Sequence, residues 1–334
     1  MTQELSPKAT DDKNKAGIVS PPTLPPELTF IQRGWLNCNS ILIQGSGPPA
    51  LVDSGHLFYQ NETLDLIRQA GVEPETIGQI ATTHSHCDHH GANKRLKALS
   101  GASIGMGPLT AEWFGTDEKI LTWFNQFSQE AETVPADLIY HDGDTVLLSG
   151  IPFEVHSLPG HAPDCIGFYQ PDSRILICAD AMWDNDLGVL HTDVHGHGVI
   201  NDAEMAVRKI IALDPLIAIP GHGGLITNVQ ENGEKILRRL NSFRQEPGRL
   251  AWHITRRFTM YGLMTYQPIN RHKYIQQMVQ DNWIYANLEL LNEGKTRQFK
   301  PAEVDRLISQ IIDEFIERGL LIEENDLLTC ILPK

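Results

Sequence analysis

The sequence predicts an α/β fold, with sheet layers packed between helices and a mostly helical C-terminal module after them. Three observations point there. Strand-like runs bounded by turn residues alternate with helical stretches as far as about Gly224. From about Glu231 the texture turns mostly helical. The length, 334 residues, suits one large domain and a small one.

Residues 1–26 are polar, end in PPTLPPE and read as a disordered tail, so order is expected from near Leu28. Residues 27–230 then form the main domain and 231–334 the C-terminal one. "SILIQG" and "ALVDSG" are strand-like around the turn "SGPP". Glu62 to Ala70 suits a short helix stopped by Gly71. "IGQIATTH" is β-rich; helices are expected around Asn93–Ser100 and Leu109–Gln129, with the strand "ASIGMG" between them. Between Asp144 and Cys178 the runs "TVLLSG", "PFEVHSLPG", "CIGFYQ" and "RILICAD" are again strands. A helix near Asp202–Leu213 precedes "LIAIPGHGG". In the tail, Val304, Leu307, Ile308, Ile311, Ile312, Phe315 and Ile316 keep helical spacing, with Pro301 in the first turn and Gly319 past the end. "LLIEENDLLTCIL" reads as a hairpin turning at Glu324–Asn325–Asp326. Helix plus hairpin is reminiscent of a winged helix; a helical cap packed on the main domain is the alternative.

Composition narrows the setting. No run of roughly 18 apolar residues exists, so no membrane span is expected. The polar N-terminus has no apolar core of a secretory signal. Five scattered cysteines without Cys-x-x-Cys spacing argue against a disulfide framework, and a reduced, cytoplasmic protein is expected. Residues 1–230 hold 12 Lys+Arg against 28 Asp+Glu, while 231–334 hold 15 against 14. An acidic main domain repels phosphate backbones, which disfavours nucleic acid as a partner.

The chemistry concentrates in "THSHCDHHGA", residues 83–92, with four histidines and an aspartate in seven consecutive positions. His84 and His86, two apart at a strand end, point the same way in extended chain. Asp88 and His89 follow where Gly91 allows a turn into a helix, so two pairs of ligands are aimed at two nearby points. Imidazole with carboxylate suits zinc or a similar first-row ion. His161 follows a strand and a Pro-Gly turn, His222 repeats that arrangement, and Asp180 ends an apolar strand. A buried carboxylate there is costly without a cation.

Five segments in this order, "LVDSG", "THSHCDHHG", "PGHAPD", "ICADAM" and "IPGHGG", resemble the metallo-β-lactamase superfamily over about residues 28–230. The resemblance implies an αββα sandwich with a binuclear site between sheet edges. His84, His86 and His161 would hold one metal, Asp88, His89 and His222 the second, and Asp180 would bridge them. Asp53 would support the site by hydrogen bonding, and His90 has no ligand counterpart. Two divalent ions are expected, zinc first, with iron or manganese as alternatives. Such a pair stabilises a bridging hydroxide, which Asp88 would orient as the catalytic residue, and polarises a substrate oxygen. Hydrolysis is the default reaction.

His86 stands where the flavodiiron branch typically has Glu, and no flavodoxin domain follows, which disfavours oxygen reduction. The missing export signal argues against a secreted β-lactamase. Between Arg174 and Arg208 there is no Lys or Arg, which counts against glutathione unless Arg256, Arg257, Arg271 or Lys273 of the tail reach the pocket. The short motif spacing excludes relatives with a large inserted nucleic-acid-binding domain. The plan looks closest to lactamase-like hydrolases with a helical C-terminal extension, a group with an RNA-cleaving branch and quorum-signal thioesterase relatives. The expected activity is hydrolysis of a small ester, thioester or lactone. The alternatives are a mononuclear iron persulfide dioxygenase, needing only His84, His161 and Asp180, and a metal-stabilised regulator or nucleic-acid-binding protein acting through its tail. Trp183, His191, His195 and His197, after Asp180, are the candidate pocket residues. Trp113, Phe114, Trp123 and Phe124 are a candidate apolar wall. A small-molecule substrate is the expected partner, with no membrane, and homodimerisation through the helical tail stays open.

Overall fold

The computed structural model of the chain describes residues 17–19, 24–116, 131–196, 198–289 and 299–331. Seven strands form the first sheet in chain order: β1 (Gly17–Val19), β2 (Leu28–Gln32), β3 (Ser40–Ile43), β4 (Ala50–Val52), β5 (Gln79–Thr82), β6 (Ser103–Met106) and β7 (Leu138–Ile139). Pairing is antiparallel up to β4 and parallel from β4 to β7. The parallel steps need crossovers. Helix α1 (Gln60–Gln69) supplies the first, α2 (Cys87–His90) with α3 (Asn93–Ser100) the second, and α4 (Pro108–Thr116) lies in the third. The rest of the helix expected to Gln129 lies outside the described residues.

The second sheet holds β8 (Thr145–Leu148), β9 (Ile151–Ser157), β10 (Ile166–Gln170), β11 (Ile175–Ala179) and β12 (Ile217–Pro220), in the order β12-β11-β10-β9-β8. Only its β11–β12 pair is parallel. Its crossover contains α5 (Thr192–His195) and α6 (Val199–Leu213).

Strand alternation sorts the core into layers. Phe30, Ile41, Val52 and Ala81 of the first sheet meet Phe168, Ile177 and Ile219 of the second. The intervening residues Ile31, Leu42, Leu51 and Ile80 face the outer helices with Ile67 and Leu96. Leu176, Cys178 and Ala218, on the outer face of the second sheet, pack with Val207 and Ile210 of α6. Strands β2 to β6 and β10 to β12 are thus buried on both faces, which explains their largely apolar runs in the sequence. This is the αββα sandwich.

The C-terminal region contributes α7 (Val229–Gln245), α8 (Pro247–Tyr266), α9 (Arg271–Gln280), α10 (Asn282–Glu289) and α11 (Pro301–Glu317), with β13 (Ile269–Asn270), β14 (Leu321–Glu324) and β15 (Leu327–Cys330). The strands form a small sheet in the order β13-β15-β14. The hairpin turns at Asn325 and Asp326, both at positive φ (51° and 61°), the backbone of a two-residue turn matched to strand twist. Ile236, Ile254, Ile308 and Ile311 share one continuous core with Leu176 and Ala218. The module therefore both carries a wing-like hairpin and packs on the main body. One expectation needs correction: Gly17–Val19, placed in the tail, pairs with β2 as an edge strand. Three residues of Gly, Ile and Val are too short a run to register beside polar neighbours.

Phe168 is fully buried between the sheets and meets Tyr140 edge to face at 5.9 Å. Phe168→Ala should cost about 3–5 kcal/mol of unfolding free energy by denaturant titration.

Candidate metal centre

Parallel pairing puts strand ends side by side, and ligands in such sheets gather at carboxyl ends. Asp53 follows β4, His84 to His89 follow β5, Asp180 follows β11 and His222 follows β12. His161 enters from the β9–β10 connection. All seven predicted ligands and Asp53 come together there.

His86 Nδ1 lies 3.1 Å from His84 Nε2 and 2.8 Å from His161 Nε2. Three ring nitrogens therefore converge on one point. A second group sits beside it: His222 Nε2 is 3.1 Å and His89 Nε2 3.7 Å from Asp88 Oδ2. Asp180 Oδ2 lies between the groups, 3.4 Å from His161 Nε2 and 3.6 Å from both His89 Nε2 and His222 Nε2.

Outer contacts fix the orientation of these rings. His89 Nδ1 is 2.8 Å from Asp53 Oδ2, and Asp53 also accepts the Thr83 N–H (2.9 Å) and hydroxyl (2.8 Å). His161 Nδ1 donates to the Val189 carbonyl at 2.8 Å. Both rings thus turn Nε2 toward the cluster. The Trp183 indole N–H donates to Asp180 Oδ1 at 3.0 Å. Asp164 accepts from the Ser85 N–H and the Thr110 hydroxyl, each at 2.8 Å, and so pins the residue between His84 and His86. Asn39 donates to the Pro220 and Gly223 carbonyls at 2.9 Å, seating the His222 loop. Gly221 is obligatory for close approach: a Cβ there would stand 2.1 Å from Asp180 Oδ1 and 3.0 Å from His89 Cε1.

The charges are unbalanced. Asp53 is 2% and Asp180 3% exposed, and among the described residues no Lys or Arg pairs with Asp53, Asp88 or Asp180. Burial, with neighbouring imidazoles adding to it, holds His84 and His86 well below the usual histidine range, and burial lowers His161 too. These rings stay neutral and offer lone pairs. Burial opposes ionisation of Asp88 and Asp180, but His89 and His222 outweigh it and hold both carboxyls low. His89 behaves oppositely: burial lowers it, yet Cys38, Asp88, Asp53 and Asp180 together raise it well above normal. Its buried Nε2 has no hydrogen-bond partner among the described residues. Neutral imidazoles, ionised carboxylates and a local demand for positive charge fit first-row divalent cations.

Five of the candidate ligands, His86, Asp88, His161, Asp180 and His222, open onto a cavity of ≈ 550 Å³ whose other walls come largely from the C-terminal helices. Trp35 stacks on His222 at 4.4 Å with an interplanar angle of 4°, and Trp183 meets the same ring edge-on at 5.1 Å. Trp183 lines the cavity, as do Arg256 and Arg257. Arg271 does not; it pairs with Asp313 and Glu323. His191 is buried against Phe258 (4.9 Å), and neither it nor His195 is among the described lining residues. His197, Trp123 and Phe124 lie outside the described residues. Trp113 and Phe114 belong to the core behind the first sheet, where Phe114 packs on His90 at 4.6 Å. Cys87 joins none of the ligand groups.

Trp35, Cys38, Asp164 and Tyr261 reach the site without having been expected there. Asp164 stands three residues after a ligand in a motif already singled out, which was an available signal. Trp35, Cys38 and Tyr261 arrive only through tertiary packing. Cys38 lies in the Asp53–His89 group, and burial pushes its thiol up to about 11.

Two outcomes follow from this geometry. Gly221→Ala should displace Asp180 and lower metal content per folded chain, read by elemental analysis with circular dichroism as the folding control. Burial, with His195 next, pushes the His191 imidazole down to about 3, against 6.5 for the free group. Between those values the unfolded chain binds the proton and the native one does not, so stability falls as pH falls. His191→Gln should flatten that fall by about one proton, or about 1.4 kcal/mol per pH unit, in denaturant titrations from pH 7 to 4.5.

Comparison with known proteins agrees with this geometry. A hydroxyacylglutathione hydrolase, GloC, of Haemophilus influenzae is 28% identical over 210 residues, covering 58% of this chain and 89% of that one. A protein of Aquifex aeolicus described as uncharacterized is 25% identical over 198 residues, covering 59% and 88%. The crystal structure of a metallo-beta-lactamase family protein from Thermus thermophilus shares the fold at TM-score 0.53 and 19% identity, over 95% of this chain and 98% of that one. The family model of the metallo-beta-lactamase superfamily matches residues 33–222, from the buried Arg33 to the candidate ligand His222, and the chain belongs to that superfamily.

Proposed function

We propose that this chain is a binuclear metal-dependent hydrolase of small ester, thioester or lactone substrates. The observation that carries the reading is the convergence of two donor groups, His84/His86/His161 and Asp88/His89/His222, on either side of Asp180. A mononuclear dioxygenase site would leave the second group without a task. Relatives named hydroxyacylglutathione hydrolase support hydrolysis as the reaction class.

Two divalent cations, zinc first, would activate water and polarise a substrate carbonyl when bound there. The chain's own part is then clear. His84, His86 and His161 would hold one ion, Asp88, His89 and His222 the other, and Asp180 both. Asp88 would accept a hydrogen bond from the attacking water and orient it. Asp53 keeps His89 in the tautomer whose Nε2 faces the site. Tyr261 lines the cavity, and burial with Cys87 and Asp88 nearby raises its phenol well above normal, so it remains a hydrogen-bond donor toward the substrate. Trp35 and Trp183 shield the His222 side from water.

We assign catalysis to residues 27–230 and the far pocket wall to 231–334, with a reduced, cytoplasmic setting. Among the described residues no helix is long and apolar enough to cross a membrane.

The test is metal analysis of chelator-free protein followed by an ester, thioester and lactone screen. Two equivalents of metal and turnover on at least one class are expected, with Asp88→Asn slowing kcat roughly 10²- to 10⁴-fold. One iron per chain with oxygen consumption would replace this reading by the dioxygenase.

A further inference from the structure

Asp180 faces both donor groups, and its two oxygens have different neighbours. Oδ2 lies 3.4 Å from His161 Nε2 and 3.6 Å from both His89 Nε2 and His222 Nε2. Oδ1 sits against Gly221 and accepts the Trp183 indole N–H at 3.0 Å. The last torsion of an aspartate is broad and roughly two-fold, so the side chain alone does not decide which oxygen faces the donors. A donor fixed on one oxygen does decide it. Indole suits the task because it has a single N–H and accepts nothing in return.

Trp183 is itself held at its main chain and at its ring. Its N–H donates to the Asp186 carbonyl at 2.8 Å, and its carbonyl accepts the Asp186 N–H at 3.3 Å, which closes a tight turn with Asn185 at φ 56°. The same carbonyl accepts the Asn232 side-chain amide at 2.9 Å. The ring is buried; it meets Trp35 edge-on at 5.2 Å and carries the Arg257 guanidinium 5.3 Å from its centre. Asp186, at the far end of the turn, pairs with both Arg239 and Arg257. Asn232 and Arg239 belong to α7, and Arg257 to α8. Two helices of the C-terminal module therefore grip one turn by its backbone, its carboxylate and its ring.

We propose that Trp183 is a positioning residue for the metal centre, and that the C-terminal module sets the geometry of the centre through it. Helices α7 and α8 hold the turn, the indole holds Asp180 Oδ1, and Oδ2 stays in register with both donor groups. The module is then part of how ions are held, besides forming cavity wall. This rests on reading the two donor groups as a metal centre, and is independent of which bond is hydrolysed.

The experiment uses the full chain, stripped of metal and titrated with zinc(II) against a chromophoric chelator, then with cobalt(II) alone for its visible absorption bands. Trp183→Phe keeps a ring in place and lacks the N–H. Its zinc affinity should fall roughly 10- to 100-fold, as when an outer partner of a ligand is lost, and its cobalt bands should shift. Circular dichroism is the folding control. Replacing Trp183 by β-(3-benzothienyl)alanine, which keeps the shape of indole without the N–H, should give the same loss and so separates the hydrogen bond from packing. Asp186→Asn alters no candidate ligand and weakens both arginine pairs; it should lower zinc affinity by a smaller factor. Wild-type affinity and unchanged cobalt bands with the benzothienyl side chain, or in Asp186→Asn, overturn the proposal. Metal binding is read without substrate, so the two readings fail separately. A chain that turns over no ester, thioester or lactone loses the hydrolase reading and keeps this one, whereas turnover with two bound ions and no effect of these variants does the reverse.

Discussion

Asp53, Asp88 and Asp180 lie among buried imidazoles at the ends of two sheets, and no lysine or arginine among the described residues pairs with any of them. Removing ionised carboxylates from water is expensive unless a compensating charge is supplied. His89 moves toward supplying it. The arrangement is therefore poised for external cations, and much of the local architecture follows from holding it. The parallel pairs β4–β5 and β11–β12 bring the four strand ends together. Asp53 and Ala179 adopt positive φ (57° and 47°) where the chain leaves β4 and β11, a backbone cost accepted next to the ligands. Gly221 leaves room for Asp180 and His89 to meet.

The C-terminal module is coupled to that arrangement through one short loop. Arg257 of α8 pairs with Asp186 and lies over the Trp183 ring; Trp183 in turn donates to Asp180. Asn232 of α7 donates to the Trp183 carbonyl at 2.9 Å and accepts the Asn185 N–H. The residue that faces both donor groups is thus positioned by contacts that originate in the module. Since the module also shares its apolar core with the outer face of the second sheet, it cannot shift far without disturbing β11, which carries Asp180 at its end.

What could be read from the sequence depended on range. Candidate ligands on one short stretch, His84 to His89, announce themselves because strand and turn geometry alone aim them. His161, Asp180 and His222 are legible because each sits at the end of an apolar run beside a turn. The sheet layers are legible because burial on both faces makes the strands uniformly apolar. Beyond that, contacts between distant segments leave no local trace. Trp35 stacks on a residue 187 positions away, and nothing near it in sequence marks that pairing. The histidines after Asp180 illustrate the opposite error. His191 carries the chemistry of a pocket residue in a loop that follows a ligand, yet burial against Phe258 makes it part of the packing. Gly17–Val19 shows a third case, a strand too short to outweigh its neighbours until β2 is there to pair with it.

The distribution of charge connects these points to the cavity. Residues 1–230 hold a net −16 and residues 231–334 a net +1, and Arg249, Arg256, Arg257 and Arg318 of the latter line the same cavity as the candidate metal ligands. Inside, the low-dielectric wall of Trp35, Trp183 and Phe258 strengthens any charge pairing relative to water. Arg256 and Arg318 share Glu314. The superfamily fold accounts for a reactive centre at the sheet ends. The helices laid across the cavity supply most of its remaining wall.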